Sequence, residues 1–401
     1  MCAPLALAAP AEAKSKVKPP KVAQVFDAAK RKKTKHKLSD AVSYSAYANI
    51  RYLGERDIAR DDNVRDSSDE TAIYLGFVGR AQLSHSVMAF AHAEVSLKDR
   101  RTHDRSFGRI MDPQLKEALV AVSLSQTDTL TFGRMRFSDA NKWVLDASVD
   151  GVHYARKTPG KVLEFAAFKG TTSVSSYYAM AHYGRADELG RWGGLALAES
   201  DGDAKRLHVA GYWEQRITTT FRYQANAGAV FGDAANGKNF GVGFDVRAIK
   251  KLSDSKLKPQ ITFGFAYGSE GFQQSGLHSN KTYDGGQTQF HRYGYVYQPE
   301  LTNLAVLSLG VGVRPSKKFS ADLVANAYFQ PSASTTGPSA RLNGITTGNS
   351  HFLGTEISLV GAFRPSKKTK VEFGAGRFDP GPAYLDQSPA TRVFARISVY
   401  F

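Results

Sequence analysis

In the last ten residues, RVFARISVYF, Val393, Ala395, Ile397, Val399 and Phe401 fall on one face, and Arg392, Arg396 and Ser398 on the other. A period of two is the signature of a strand with one apolar and one polar side. A segment of about ten residues that alternates in this way and ends in an aromatic is the closing strand expected of an outer-membrane β-barrel. The same alternation recurs along the chain between turn residues. It predicts strands over 41–52, 70–84, 87–97, 115–126, 130–136, 149–157, 161–170, 177–183, 192–199, 206–215, 219–231, 239–248, 259–268, 303–313, 319–329, 351–363, 370–378 and 392–401. These are about eighteen, and an even number leaves both termini on the periplasmic side.

The spacers between these strands alternate in length. Ser84-His85-Ser86, Thr127-Asp128, Thr158-Pro159-Gly160 and two copies of Arg-Pro-Ser-Lys-Lys, beginning at Arg314 and Arg364, read as tight turns. Residues 53–69, 98–114, 137–148, 269–302, 330–350 and 379–391 read as long connections. The fold expected is therefore all-β: a transmembrane antiparallel β-barrel with short periplasmic turns and long extracellular loops.

Composition removes the main rival. Mean hydropathy is −0.34, and nowhere does a run of roughly 18 apolar residues offer a spanning helix. Gly, Tyr and Phe are plentiful and Cys is single, which suits a chain crossing an oxidising compartment without disulfides. Residues 1–13 read as the remnant of an export signal, with Ala11-Glu12-Ala13 as an A-x-A cleavage site. Residues 14–40 read as a basic periplasmic tail, and residues 41–401 as the barrel. Between Lys14 and Lys37, ten Lys and Arg face one acid, Asp27. Of the net +16, residues 14–37 hold +9, and with Glu12 set aside the rest of the chain, 38–401, holds +8. Two readings of the tail stand: an electrostatic grip on an anionic polymer or periplasmic partner, or a solvated segment. Nucleic acid is a poor fit for an exported chain.

If the apolar parity faces lipid, the polar parity lines the lumen. The strand with Ile73, Leu75 and Phe77 turns Arg80 inward, and that with Phe221 and Tyr223 turns Arg222 inward. Arg51, Arg247 and Arg396 follow by the same rule, as do the acids Glu94, Asp245, Asp322, Glu356 and Glu372. A cation facing hydrocarbon at the midplane costs on the order of 2–4 kcal/mol, so parity is a real constraint. Arg134 and Arg136 share parity with Leu130 and Phe132, so they line a pore only with a bulge or a position near the rim. Each inward Arg is either a selectivity group or one half of a wall-stiffening ion pair. Asp245 with Arg247 reads most readily as wall structure.

Phe290-His291-Arg292-Tyr293-Gly294 and Gln298-Pro299-Glu300-Leu301-Thr302-Asn303-Leu304, followed by a strand with Gly310 and Gly312, resemble the alginate export family of outer-membrane porins. Phe132-Gly133-Arg134-Met135-Arg136, and the Lys142-Trp143 loop running into Asp150-Gly151, look like that family's Gly-Arg strand and aromatic loop. The resemblance implies an eighteen-stranded monomeric barrel whose Arg-rich, anion-selective lumen passes an anionic, alginate-like exopolysaccharide outward. The expected pore-lining set is Arg51, Arg80, Glu94, Arg134, Arg136, Arg222, Arg247, Arg292 and Arg396.

Other chemistry is thin. The ten histidines form no HExxH pair, and no G-x-S-x-G elbow occurs. The Asp-rich first loop (Asp57, Asp61, Asp62, Asp66, Asp69) reads as a calcium ligand set or, more simply, as a solvated loop. Neither a metal nor a cofactor is expected, and no catalytic role. Arg100, Arg101, His103, Arg105 and Arg109 make the second loop basic, suited to guiding a polyanion or lying against lipopolysaccharide. The alternatives are an uptake or general diffusion porin for small anionic solutes, a rim enzyme, and a soluble β-rich binding protein.

Overall fold

The structure, a computed structural model, describes residues 20–28, 34–58, 66–102, 106–171, 176–202, 204–234, 237–253, 255–282, 289–342 and 344–401. The expected signal remnant, Asp61, Asp62, His103 and Arg105 lie outside the described residues, as does much of the Lys-rich segment.

A two-residue strand β1 (His36–Lys37) precedes eighteen long ones: β2 (Val42–Arg56), β3 (Ser67–Gln82), β4 (Val87–Thr102), β5 (Ser106–Ser123), β6 (Asp128–Ser138), β7 (Asp146–Thr158), β8 (Lys161–Gly170), β9 (Tyr177–Ala186) and β10 (Gly190–Asp201), then β11 (Ala204–Arg216), β12 (Phe221–Ala234), β13 (Gly237–Lys251), β14 (Gln260–Gly268), β15 (Leu304–Ser316), β16 (Phe319–Phe329), β17 (Phe352–Phe363), β18 (Thr369–Pro380) and β19 (Ala390–Tyr400). Each of the eighteen pairs antiparallel with its sequence neighbours, and β19 pairs with β2, Ile397 opposite Ile50, to close the ring. Closure satisfies every ladder and leaves no edge, which hydrocarbon demands. The short β1 pairs with β2 at Ser43 and Tyr44, just beyond the last residue that β19 covers.

The alternation read from the sequence sets the two faces. Ile73, Leu75 and Phe77 of β3 stand exposed outward, while Ala72 and Val78 are buried inward. Such a band of exposed Leu, Ile and Phe would be untenable in water and is the surface a bilayer covers. Aromatics mark its borders. Trp192 sits opposite Trp213 and packs on Tyr183 near the short turns, and Phe231 packs on Phe240 near the other end.

Of the expected long connections, 98–114 is largely strand and 53–69 is shortened at both ends. β2 continues to Arg56 and β3 begins at Ser67; β4 runs to Thr102 and β5 starts at Ser106. The basic stretch with Arg100, Arg101 and Arg109 is thus the tip of a hairpin, because its polar residues lie above the membrane where alternation of hydrophobicity is not required. The described parts of the connection after β14, residues 269–282 and 289–303, run the other way, packing inward: Phe272, Leu277, Tyr293, Val296, Tyr297 and Leu301 are all buried.

Candidate functional site

The inner wall is built by parity. In β2, Tyr47, Arg51 and Glu55 point inward between the outward Ile50 and Tyr52. Arg396 of β19 is the register partner of Arg51, so two guanidinium groups stand side by side on the inner face. Such a pair repels unless flanked by acids. Here Glu372, the partner of Arg396 on β18, lies 3.8 Å from it, and Arg51 is hydrogen-bonded to Glu70 with its guanidinium 5.1 Å above the Tyr74 ring. Glu94 of β4 accepts from the Tyr47 hydroxyl (2.6 Å) and lies 3.3 Å from Lys116, the extra residue of a bulge in β5. Toward the periplasmic end, Arg222 faces Glu214 at 3.9 Å. Arg80 lines a small cavity of about 170 Å³ with Gln24, Asp27 and Lys157.

Arg134 and Arg136 do not take the inward parity, and of the two conditions set for them the position near the rim is the one found. They continue the outward parity of Phe132, while Met135 and Phe137 between and beyond them are fully buried inside. The β6/β7 register runs unbroken from Asp128 to Ser138, so no bulge rescues them. Gly133, at φ +111°, faces the Ala118 backbone too closely for any side chain, and β6 parts from β5 just after it. Arg134 makes a forked pair with Asp150 (2.8 and 2.7 Å), and Arg136 reaches Asp146 at 2.8 Å, both near the extracellular rim.

Arg247 and Arg292 are in the lumen but buried. Arg292, carried on the inward-folded segment after β14, donates to Asp245 at 2.6 Å and to Thr282. Asp245 also accepts from the Tyr293 hydroxyl (2.8 Å), and Arg247 donates to the Arg292 carbonyl (2.7 Å). The pair assigned to wall structure is therefore the seat of this segment. On the far side Glu356 of β17 accepts the amides of Tyr295 and Tyr297 (2.9 Å for the latter), and Arg392 of β19 donates to the Tyr295 carbonyl at 2.8 Å. A side chain at Gly374 would come within 2.7 Å of the Tyr295 ring, so the glycine is what lets the segment lie on the wall. Trp143, from the loop after β6, donates its indole N–H to Tyr293 (2.9 Å) and completes the block. Burial disfavours charge on three groups of the segment: the His278 imidazole is pushed down to about 4, His291 falls well below its usual range, and the Glu300 carboxyl rises.

A second obstruction comes from residues 20–28, which lie inside the barrel against β6–β9 rather than in a tail. Val25 and Phe26 are buried, and Phe26 packs on Phe137 and His153. Glu164 of β8 accepts the amides of Val25 (2.8 Å) and Phe26 (3.0 Å), while His153 and His182 stand 3.1 and 2.7 Å from its oxygens. Those four contacts fill a carboxylate's capacity. The Val25 carbonyl accepts from the Ser138 amide at 3.0 Å. The sequence reading missed Glu164, His153 and His182, although their inward parity on neighbouring strands was a usable signal. It also missed Arg341, which pairs through both oxygens with Glu55, a residue shared with Arg392 at 3.1 Å.

One regularity runs through the lumen-side ion pairs: the acid is the recessed member. Arg341 is 37% exposed against 6% for Glu55, Arg396 35% against 10% for Glu372, and Arg206 25% against 4% for Glu199. The pairs of Glu94, Glu214 and Asp322 follow suit, and Lys98 with Asp112 is an exception. The surface these pairs present to the interior is therefore cationic.

The family model described as alginate export matches residues 160–397, more than half of the chain. Alginate production protein AlgE of Pseudomonas aeruginosa is 25% identical over 29% of this chain and 27% of its own length, so the match spans about a quarter of that relative. Among solved structures, Acinetobacter baumannii OccAB4 superposes with a TM-score of 0.62 at 8% identity, covering 91% of this chain and 99% of that one. Pseudomonas aeruginosa OccK11 (OpdR) gives 0.60 at 10% identity, covering 92% and 100%. Pseudomonas aeruginosa OpdK, solved with vanillate, gives 0.57 at 11% identity, covering 90% and 98%. At such identities the structural likeness establishes the fold. Taken with the family match and the apolar outer band, it establishes that this chain belongs to the alginate export family and forms a porin-type barrel in the bacterial outer membrane.

Proposed function

We propose that the barrel exports an anionic, alginate-like exopolysaccharide as a monomeric passive channel, without catalytic turnover. The observation that carries this reading is the recessed acids. A polymer in the lumen meets the guanidinium groups of Arg341, Arg396 and Arg206 before it meets their carboxylate partners. Guanidinium and carboxylate form forked, charge-assisted pairs, and several weak sites in series let a chain move on rather than stay bound. Direction comes from supply: polymer delivered from the periplasm is the only source of a gradient. At the outer rim, Arg100, Arg101 and Arg109 suit the emerging polyanion or the lipopolysaccharide around it.

A second reading, uptake or diffusion of small anionic solutes, has its own support. The lumen is narrowed by residues 20–28 and by the described parts of the connection after β14, 269–282 and 289–303, which suits a small solute better than a polymer, and the similar structure of OpdK was solved with vanillate. Planar bilayers separate the two. A salt gradient gives the reversal potential, and oligouronate is then titrated beside a neutral dextran. Export predicts anion selectivity and block by oligouronate alone, weakened by Arg341→Ala and Arg396→Ala. Anion selectivity with rapid passage of small carboxylates and indifference to oligouronate would leave the uptake reading.

A further inference from the structure

Between the periplasmic ends of β11–β15 lies a cavity of about 570 Å³ whose lining carries Arg216, Arg222, Lys251, Lys258, Arg314 and Lys317 and no Asp or Glu. The hydroxyls of the Thr218-Thr219-Thr220 turn complete it. These side chains meet because β11, β12, β13 and β15 each end, or begin, with an inward cation at the same height. Arg314 is held by Asp322 (2.6 and 2.8 Å), and Arg222 shares Glu214 with Arg191. Arg216, Lys251 and Lys258 have no carboxylate partner among the described residues, and both lysines are exposed. Gathering unpaired like charges around one cavity costs self-repulsion, which an incoming anion relieves. The opposite half of the same mouth is filled by residues 20–28, leaving the about 170 Å³ beside Arg80. Access from the periplasm is thus steered to the basic half.

We infer that this vestibule docks a linear polyanion bearing both carboxylates and hydroxyls, and that the polymer engages it before entering the lumen. The inference rests on the export reading and deepens it. Carboxylates on successive sugar units meet successive cations, and the turn hydroxyls supply neutral hydrogen bonds between them. Exposed pairs of this kind are individually weak, so several together capture a chain without trapping it.

The test uses the full chain with Lys251→Glu and Lys258→Glu combined. Both positions are exposed at a turn, and heat-modifiable migration on a gel verifies folding. Oligouronate is added to one face of an oriented bilayer at a time. The expected result is that the half-blocking concentration from the periplasmic face rises at least tenfold in the variant. Block from the extracellular face stays unchanged, and the Lys→Arg pair behaves as the parent. An unchanged periplasmic half-block overturns the dock; if the parent channel is still anion-selective and blocked, the export reading survives. Absence of block from either face in the parent overturns both. Calorimetric titration of oligouronate into detergent-solubilised protein repeats the comparison without an open channel. Loss of binding heat in the variant is expected, and equal heats would overturn the inference.

Discussion

Arg292 and Asp245 meet at 2.6 Å across the interface between the inward-folded segment and the β13 wall, both fully buried. Removing one partner of a buried pair leaves an uncompensated charge, at a cost of roughly 3–5 kcal/mol. Asp245→Asn strands both Arg292 and Arg247. The segment should undock while the barrel survives, giving larger and noisier conductance with heat-modifiable migration retained. Parent-like conductance would show that the segment is held elsewhere.

The inner seat of residues 20–28 depends on backbone amides. Val25→Pro deletes the N–H that donates to Glu164 at 2.8 Å, and Glu164→Ala deletes the acceptor. A buried group left unsatisfied costs about 1–3 kcal/mol, so each change should raise the open probability in bilayers. Because both break the same contact, the double variant should exceed either alone by much less than their sum. Full additivity would argue against a shared seat.

Parity separates two arginine positions that composition cannot. Arg134→Ala, on the outward side of the wall, should leave the reversal potential unchanged and cost under about 1 kcal/mol, as exposed pairs do. Arg396→Ala should move the reversal potential toward cation selectivity. Equal shifts in both would contradict the observed register.

Acid should loosen the inward-folded segment. Burial next to His208 holds His278 down to about 4 from an ordinary 6.5, and His291, ringed by His278, Lys281, Arg292 and Arg392, is lowered as well. Between those values the undocked segment binds protons that the docked one refuses, so docking weakens as pH falls below 6.5 and is flat above it. Glu300 has the opposite sign. Its carboxyl is raised, so its contribution is lost as pH rises, but it is one group against two. Single-channel recordings at pH 7.5 and 5 should show more opening at pH 5. Fewer openings there would reject this account.

The barrel was legible in the sequence because a lipid-facing strand has no freedom of pattern. Each residue such as Ile397 or Leu75 that must face hydrocarbon fixes the side of its neighbours, and strand existence, order and the inward Arg51, Arg80, Arg222 and Arg396 followed from that alone. Strand ends did not follow. β4 and β5 rise above the membrane on residues such as Arg100 and Arg109, where no solvent boundary enforces alternation. What fills the interior was decided only by tertiary structure. Arg292, Tyr295 and Val25 lie on stretches without periodicity, and their places depend on carboxylates supplied by distant strands: Asp245, Glu356 and Glu164. The exposure of each cation relative to its acid is likewise a property of the packed wall. A period of two tells which way a side chain points, and only the assembled barrel tells what stands in front of it.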